Sequence, residues 1–341
     1  EAAQEDPNQV PFAVAEVYNT MLFTNFWARA EAIADEIAEK SPHVVGLQEV
    51  STYYKQTPGD FLDGNPVSAD DLVIDFYEVL NAALEARGMY YRKFEVTNAV
   101  VELPMVDFCS PTFLSDVRMV DHDMVLVREN LPAGEVFSGN YQTNLGMNLA
   151  GADLEFTRGF LIVDVNVNGG PFRFVNTHLE VRGEPGSPFR FFQSAQMTEL
   201  LLTVGGFSMF DPKPVIMVGD FNSSPEDVPG DYIHPVFGEI PYVPPYIQAV
   251  NSDYLDAWTQ QKRYDEGYTS GFDEYVSDPT AELTSRIDLI FIDPMDLAVE
   301  KVKCDVVGDE VDDMVPNPIA PWFLRLWPSD HAGVFGKIKL K

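Results

Sequence analysis

Short apolar runs that end abruptly in polar residues constrain the fold of this chain more than any other feature. The clearest is "VIMVGDFNSSPED", in which the apolar residues 215–218 lack helical spacing and therefore predict a buried strand. The segment "GDFNSSP" predicts a sharp exit from that strand, with Asp220 and Asn222 as its candidate functional residues. Taken alone, such an exit is more typical of an Asx or Ser/Thr turn than of a site. The other segments decide between these two interpretations.

Segments with helical spacing lie between the predicted strands. "FWARAEAIADEIAEKSP" predicts a helix closed by Ser41 and Pro42. A second helix is predicted after "NTHLE", with Phe191, Ala195 and Leu202 on one apolar face, and residues 225–250 predict a loop rich in Pro and Tyr. The chain has no linker, internal repeat or low-complexity tract, so one α/β domain over residues 1–341 is expected, although the length would allow two.

Acids and histidines stand at the ends of the predicted strands. Glu49 ends the apolar run of "HVVGLQEV", and His178 ends that of "PFRFVNTHLE". "SRIDLIFID" predicts a strand with Asp288 in its middle, and Asp330 and His331 precede the last strand, "GVFGKIKL". Ligands of α/β sheets bind at such strand ends. Independent turns would not repeatedly place acids and histidines there, so the recurrence favours a functional site.

The oxygen donors in this set indicate a hard divalent cation. The candidate ligands are the carboxylates of Glu49, Asp220 and Asp330 and the amide oxygens of Asn19, in "EVYNTML", and Asn222. Carboxylate and amide oxygens without Cys suit Mg²⁺, Mn²⁺ or Ca²⁺ better than zinc. Because Mg²⁺ is often shared with substrate phosphate oxygens, the set predicts phosphoryl chemistry.

Two of the five histidines, His178 and His331, belong to this set, where an imidazole can carry protons near neutral pH. Asp288 is a candidate hydrogen-bond partner of His331, and an ion pair with Arg286 is the alternative. Arg158, in "FTRGFLIVDV", is a candidate phosphate clamp because a guanidinium matches phosphate geometry, with a surface charge as the alternative. These residues predict hydrolysis of a phosphoester by water.

The charge of the chain bears on its substrate. With 54 Asp and Glu against 22 Lys and Arg, the formal net charge is -32. Binding of duplex DNA usually depends on a basic surface, so this balance disfavours long nucleic acid as a partner without excluding it. Adaptation of the surface to a saline medium explains the acids equally well. No apolar run is long enough to span a bilayer.

In this order, "NT", "LQEV", "NTHLE", "GDFNSSP", "SRIDLIF" and "SDHAGVFGKI" closely resemble the endonuclease/exonuclease/phosphatase superfamily, which includes DNase I-like nucleases, neutral sphingomyelinases and inositol polyphosphate phosphatases. The motifs span residues 19–331. The resemblance implies a four-layer α/β sandwich, in which two packed, mixed and mostly antiparallel sheets are flanked by helices. It also implies Mg²⁺-dependent hydrolysis by direct attack of water, without a covalent intermediate.

The resemblance also implies a role for each candidate residue. Asn19, Glu49 and Asp330 would lie at the metal, and Asp220 and Asn222 would position the attacking water and the phosphate, with Asp220 beside the ion.

For proton transfer, the resemblance implies that His331 is the base and Asp288 its partner. Asp220 is the alternative base. His178 would donate to the phosphate or to the leaving group.

Within the superfamily, "MVDHDMVLVRE", "TRGF" and "LWPSDHAGV" look most like exported bacterial members of undefined substrate. A secreted or periplasmic location is therefore expected, and the start "EAAQEDPNQV" looks like a chain already trimmed.

The sequence leaves three alternatives open. Asp123 either approaches the site or is structural. Cys109 and Cys304 allow one disulfide or two thiols. The apolar residues of "APWFLRLWPSDH" either pack in the core or form a wall for a lipid or aromatic leaving group.

The leading hypothesis is a divalent-metal-dependent phosphodiesterase or phosphatase that acts on small or lipid-linked phosphoesters. A secreted DNase I-like nuclease would share the catalytic residues and differ in its substrate surface. A catalytically decayed binding module is the alternative from another class, and the intact set of candidate residues weighs against it.

Overall fold

The computed structural model of the chain describes residues 7–63, 66–149, 152–261, 265–295 and 297–341. Residues 1–6, which begin the segment behind the prediction of trimming, lie outside this range. Among the described residues, no helix combines the length and the apolar character needed to cross a membrane. The α-helices are α1 (Val10–Phe23), α2 (Phe26–Lys40), α3 (Phe76–Ala86), α4 (Pro188–Phe210) and α5 (Pro245–Asn251).

The helix predicted from "FWARAEAIADEIAEKSP" is α2, and its ends follow local chemistry. The side chain of Asn25 accepts a hydrogen bond from the Ala28 amide at 3.1 Å, which caps the first turn. At the other end Ser41 has a φ of 51°, a left-handed conformation that turns the chain out of the helix. The buried side chains of Ala30 and Ala34 then let the helix lie against the first sheet.

The first sheet is antiparallel and is built around one long strand. Its members are β1 (Val44–Leu47), β2 (Thr52–Gln56), β3 (Asp71–Asp75), β4 (Tyr91–Val106) and β5 (Leu114–Arg128). The central β5 pairs with β4 and, over separate stretches, with β1 and β2. The break between β1 and β2 contains Glu49, so this residue leaves the regular sheet.

The second sheet is mixed and carries most of the strand-end motifs. The strands that follow β5 are β6 (Ala133–Asn140), β7 (Leu145–Leu149), β8 (Ala152–Phe156), β9 (Gly159–Val167), β10 (Gly170–His178), β11 (Val215–Asp220), β12 (Gly230–His234), β13 (Gly238–Tyr242), β14 (Leu255–Asp256), β15 (Asp288–Asp293), β16 (Val299–Val307), β17 (Val315–Pro316), β18 (Arg325–Leu326) and β19 (Gly333–Leu340). The order of the second sheet is β14-β15-β11-β10-β9-β6, with β10 and β11 parallel and the other neighbours antiparallel.

The elements pack in four layers, as the resemblance implies. Helices α1 to α3 cover the outer face of the first sheet, around Leu84 and Leu126. The two sheets meet through a core that contains Val125 and Leu161. Helices α4 and α5 cover the outer face of the second sheet, where Met197 is fully buried. The predicted α/β sandwich of two sheets flanked by helices is confirmed.

Three local predictions from the sequence are wrong. Leu202 is 72% exposed, and the buried stripe of α4 instead contains Met197, Leu200 and Val204, because the sheet contacts a neighbouring face of the helix. Asp288 is the first residue of β15 rather than its middle, since Ser285 pairs outside the sheet with residue 270. Residues 225–250 contain the hairpin β12–β13 and most of α5 instead of a plain loop.

Two further alternatives are decided by burial. Cys109 is exposed and Cys304 is buried, and both are free thiols. In "APWFLRLWPSDH", Trp327 is buried, but Trp322 and Phe323 are 91% and 84% exposed. Core packing therefore describes Trp327 and not the two exposed aromatic residues.

Candidate active site

Strand register brings three of the predicted residues side by side. His178 at the end of β10 is paired with Asp220 at the end of β11, and Asp220 is paired with Asp288 at the start of β15. Gly219 permits this approach, because a Cβ on it would lie 1.9 Å from the carbonyl oxygen of Thr177 and its φ is 146°. Residues from distant parts of the sequence thus meet at one edge of the second sheet.

His331 joins this edge through Asp288. Its Nδ1 lies 3.0 Å from Oδ2 of Asp288, so this contact of the predicted pair is present. Burial opposes the charged ring, but the hydrogen bond and the charge of Asp288, followed by the charges of Asp220 and Asp330, raise the pKa of His331 to about 10. The ring is therefore charged at neutral pH while no cation offsets these acids.

Thr269 holds the two halves of this pair together. Its hydroxyl oxygen accepts a hydrogen bond from the Asp288 amide at 3.2 Å, and its carbonyl accepts one from the Ala332 amide at 2.8 Å. The alternative partner Arg286 lies elsewhere: its guanidinium donates to both carboxylate oxygens of buried Asp256, at 3.0 and 2.7 Å. Arg286 therefore does not compete with His331 for the carboxylate of Asp288.

Asp220 lies at the centre of the edge. Its Oδ1 accepts a hydrogen bond from the Asn222 amide at 2.7 Å, and its Oδ2 lies 3.5 Å from Nε2 of His178. Burial, followed by the charge of Asp288, raises the pKa of Asp220 well above its ordinary value. Ligand atoms of Asp220, Asp288 and His331 lie within 4.8 Å of one another, close enough to share one metal ion. A divalent cation would offset the repulsion between the two acids.

His178 is held in its neutral form by Arg158. The ring is 3% exposed, and its Nδ1 lies 3.1 Å from Nη1 of Arg158. Burial and the guanidinium charge lower the pKa of His178 well below its ordinary value. Nη1 of Arg158 also lies 3.3 Å from Nε2, so the guanidinium contacts both ring nitrogens. Nε2 lies 3.5 Å from Oδ2 of Asp220 and 3.3 Å from Nδ2 of Asn222. Arg158 therefore orients His178, whether or not it also binds phosphate.

Glu49 faces this edge from the first sheet. It has a φ of 55°, and its Oε1 lies 4.0 Å from Nδ1 of His178 and 3.9 Å from Nη1 of Arg158. The carboxylate is 62% exposed. Desolvation by the surrounding protein atoms, followed by the charge of Asp330, raises the pKa of Glu49. Asp330 is itself exposed, and its charge acts on Glu49, so these two acids offer further oxygen ligands.

Asn19 lies on a helix and not at a strand end. The segment "EVYNTML" lies within α1, whose buried side chains are Val10, Tyr18 and Met21, and this helical pattern leaves Asn19 exposed. The other candidate, Asp123, lies on β5, and its carboxyl group is fully buried. Burial, followed by the charge of Asp121, raises the pKa of Asp123 well above its ordinary value. The charges of Arg158 and Glu49 also act on this pKa, so Asp123 lies near the site.

Sequence reasoning missed two residues that fasten the site from the helices. Arg29 of α2 is buried and donates to the carbonyl oxygen of Pro328 at 3.1 Å, directly before the segment with Asp330. Gln193 of α4 is also buried and donates to the carbonyl oxygens of Glu180 and Asn222, at 3.0 and 2.7 Å. A polar residue on the apolar stripe of each helix was the signal that could have revealed both.

The sequence matches the Endonuclease/Exonuclease/phosphatase family over residues 21–331. The chain belongs to this family. The matched segment includes every residue of the site described above, from Glu49 to His331, while Asn19 precedes it. Members of the family are phosphoesterases and nucleases that depend on divalent metals. A search of curated proteins finds no match.

Solved structures of the family share the fold. The chain is similar to a mannosyl-6-phosphatase of Bacteroides thetaiotaomicron, with a TM-score of 0.55, 17% identity and coverage of 93% of this chain and 92% of that chain. It is also similar to truncated TDP2 of Caenorhabditis elegans, with a TM-score of 0.52, 16% identity and coverage of 92% and 90%. An endonuclease/exonuclease/phosphatase family protein of Leptotrichia buccalis is similar with a TM-score of 0.51, 16% identity and coverage of 92% of each chain. At these identities, the likeness shows the fold alone.

Proposed function

We propose that the protein is a divalent-metal-dependent phosphodiesterase or phosphatase that acts on small or lipid-linked phosphoesters through a water molecule activated by His331. The observation that carries this proposal is the meeting of His178, Asp220, Asp288 and His331 at one sheet edge, with Glu49 opposite them. Membership of a phosphoesterase family supports the same chemistry. The exported location expected from the sequence is part of the proposal.

The acids of the site would hold the cation. Glu49 offers an exposed carboxylate beside Nδ1 of His178, and Asp220 offers a buried one beside Nε2. Asp330, next to His331 in the sequence, offers a further exposed carboxylate. Oxygen ligands of this kind suit Mg²⁺, with Mn²⁺ or Ca²⁺ as alternatives. When bound, the cation supplies positive charge that polarises the phosphoryl group and lowers the pKa of His331 by offsetting its acidic neighbours.

The two histidines have different tasks in this proposal. Neutral His331 accepts a proton from the attacking water at Nε2, while Asp288 stabilises the resulting imidazolium through Nδ1. His178 donates a ring proton to a phosphoryl oxygen, and Arg158 orients the ring. Nδ2 of Asn222 donates to the carbonyl oxygen of Leu179 at 3.1 Å and lies 3.3 Å from Nε2 of His178.

The substrate proposal depends on charge and on exposed aromatic residues. A net charge of -32 repels polyanions and favours small or uncharged leaving groups. Trp322 and Phe323 are exposed in the segment that leads to Pro328, where Arg29 anchors the chain before Asp330. They are suited to contact an aromatic or lipid leaving group near the site.

A substrate panel tests the proposal. Purified protein is assayed with Mg²⁺, Mn²⁺ or Ca²⁺ against a bis-aryl phosphodiester, an aryl monoester, sphingomyelin and plasmid DNA. We expect cleavage of at least one of the first three and its loss with EDTA. Failure to cleave any of the four would overturn the enzyme proposal, and a clear preference for DNA would replace it with a nuclease.

Matched histidine variants connect that activity to the site. His331→Asn should lower turnover about 100-fold or more, the usual contribution of a general base. His234→Asn is the control, since His234 lies in the hairpin β12–β13 and uses Nδ1 to accept from the amides of Val236 and Phe237. Equal activity of the two variants would reject the role of His331.

A further inference from the structure

Asn176 lies at the junction of the two sheets. It is fully buried on β10, in the second sheet. Its Nδ2 donates to the carbonyl oxygens of Leu47 on β1 and Met124 on β5, both at 3.0 Å. Its Oδ1 accepts from Nε2 of Gln48 at 2.6 Å. One side chain of the second sheet thus fastens two strands of the first sheet, using both its donor and its acceptor.

This connection lies directly beside the site at both ends. Gln48 precedes Glu49, at the break where the chain leaves β1. His178 follows Asn176 by two residues on the same strand, so the two side chains point to the same face of the sheet. The hydrogen bonds of Asn176 therefore span the gap across which Oε1 of Glu49 lies 4.0 Å from Nδ1 of His178.

Gly46 provides independent support for a close approach at this point. A Cβ on Gly46 would lie 2.5 Å from Oδ1 of Asn176 and 2.7 Å from Cγ2 of Val218. Real side chains do not pack this closely, so only glycine fits between β1 and the second sheet here. The glycine of "VVGLQEV" and the asparagine of "FVNTHLE" thus belong to one arrangement.

We propose that Asn176 is a positioning residue that holds the Glu49 segment at a fixed distance from His178 and so keeps the two halves of the site in register. The proposal rests on the proposed function for its catalytic consequence. An aspartate would replace the donating amide with an acceptor that faces two carbonyl oxygens, and a leucine would make none of the three hydrogen bonds. Either change frees the Glu49 segment while β10 remains buried.

The test compares Asn176→Leu and Asn176→Asp with Arg173→Met. Arg173 is a suitable control because it is also buried on β10 and bonds through Nε to Asp164 at 2.9 Å, but it lies five residues from His178. Circular dichroism and thermal melting establish that each variant is folded. Amide hydrogen exchange is then followed over residues 47–50, where the Val50 amide donates to the carbonyl oxygen of His122 at 2.9 Å.

We expect exchange over residues 47–50 to be about tenfold faster in the Asn176 variants, and unchanged in Arg173→Met. Calorimetry with Mn²⁺ should give a Kd raised about 10- to 100-fold, as for the loss of groups that orient metal ligands. The kcat should fall by a similar factor with little change in KM, because the substrate groups outside the reacting centre are untouched.

Unchanged exchange over residues 47–50 in folded Asn176 variants would overturn the proposal, as would exchange that rises equally in Arg173→Met. If the wild-type protein hydrolyses no phosphoester, the proposed function fails, but the exchange result still decides whether Asn176 holds the Glu49 segment. If neither Asn176 variant folds, Gln48→Met removes the single bond to Oδ1 of Asn176. Gln48→Met should also exchange faster over residues 47–50, by a smaller factor than the Asn176 variants. Exchange at the wild-type rate in Gln48→Met would count against the proposal.

Discussion

The hydrogen-bonded pair of His331 and Asp288 gives the most quantitative prediction. The pKa of His331 is raised from 6.5 to about 10 in the metal-free protein, with burial opposed by the 3.0 Å bond to Asp288 and by three acids. A rise of this size corresponds to about 5 kcal/mol in favour of the charged ring. Because the His331 side chain is 30% exposed, solvent screening reduces the contribution to roughly half of that.

Asp288→Asn removes the charge and keeps an acceptor for Nδ1. We expect the pKa of His331 to fall by about two pH units, since an adjacent opposite charge commonly has an effect of this order. The assay is an NMR titration of the His331 ring protons in protein treated with EDTA, with His234→Asn and His331→Asn used to assign the signals. A wild-type His331 that titrates near 6.5, or one whose titration is the same in Asp288→Asn, would refute the reasoning.

The same pair has a consequence for stability, and its sign follows from the direction of the change. The folded-state pKa of His331, about 10, lies above the ordinary value of 6.5. The stabilisation is therefore complete below pH 6.5 and is lost as the pH rises from 6.5 to 10. In metal-free protein, the difference in free energy of unfolding between wild type and Asp288→Asn should stay constant up to about pH 8, the pKa of His331 expected in the variant, and shrink between about pH 8 and 10. A difference that grows with pH would contradict the assignment.

Substitutions at three other places test further parts of the structure. Arg29→Met removes the donor to the Pro328 carbonyl oxygen and so loosens the segment with Asp330 and His331. The kcat should fall about tenfold or more, and unchanged steady-state kinetics would argue against this anchor. Arg286→Met leaves the charge of Asp256 buried and should lower the free energy of unfolding in urea by about 3–5 kcal/mol, with partial recovery in the double variant with Asp256→Leu. Trp322→Ala and Phe323→Ala should each change that free energy by less than about 0.5 kcal/mol, because both rings are exposed, and a loss near 2 kcal/mol would show that they pack in the folded protein.

The strand ends could be predicted because they combine two local signals. An apolar run without helical spacing predicts a strand, and the polar residue after it predicts the edge where ligands bind. His178 and Asp220 lie as expected from these signals, since β10 and β11 are parallel and end together. The contact between His331 and Asp288 was also inferred, although their 43-residue separation means that only the fold brings them together.

Other features depend on tertiary contacts that have no local signal. Leu202 and Met197 are both apolar residues of α4, and only the position of the sheet decides which is buried. Arg286 and Asp288 are close in sequence, yet the guanidinium of Arg286 donates to Asp256 from β14, because the two carboxylate oxygens of Asp256 match its geometry. Asn19 was placed by its motif alone, and the structure shows it exposed within α1.

Turnover of a bis-aryl phosphodiester by EDTA-treated protein, before and after addition of Mg²⁺, tests the central claim most directly. Activity should be absent without the cation and restored by it, and Asp220→Asn should lower the restored kcat about 100-fold or more while the protein remains folded. Turnover that is indifferent to EDTA, or equal in Asp220→Asn and wild type, would contradict the assignment of this sheet edge as a metal-dependent phosphoester hydrolase site.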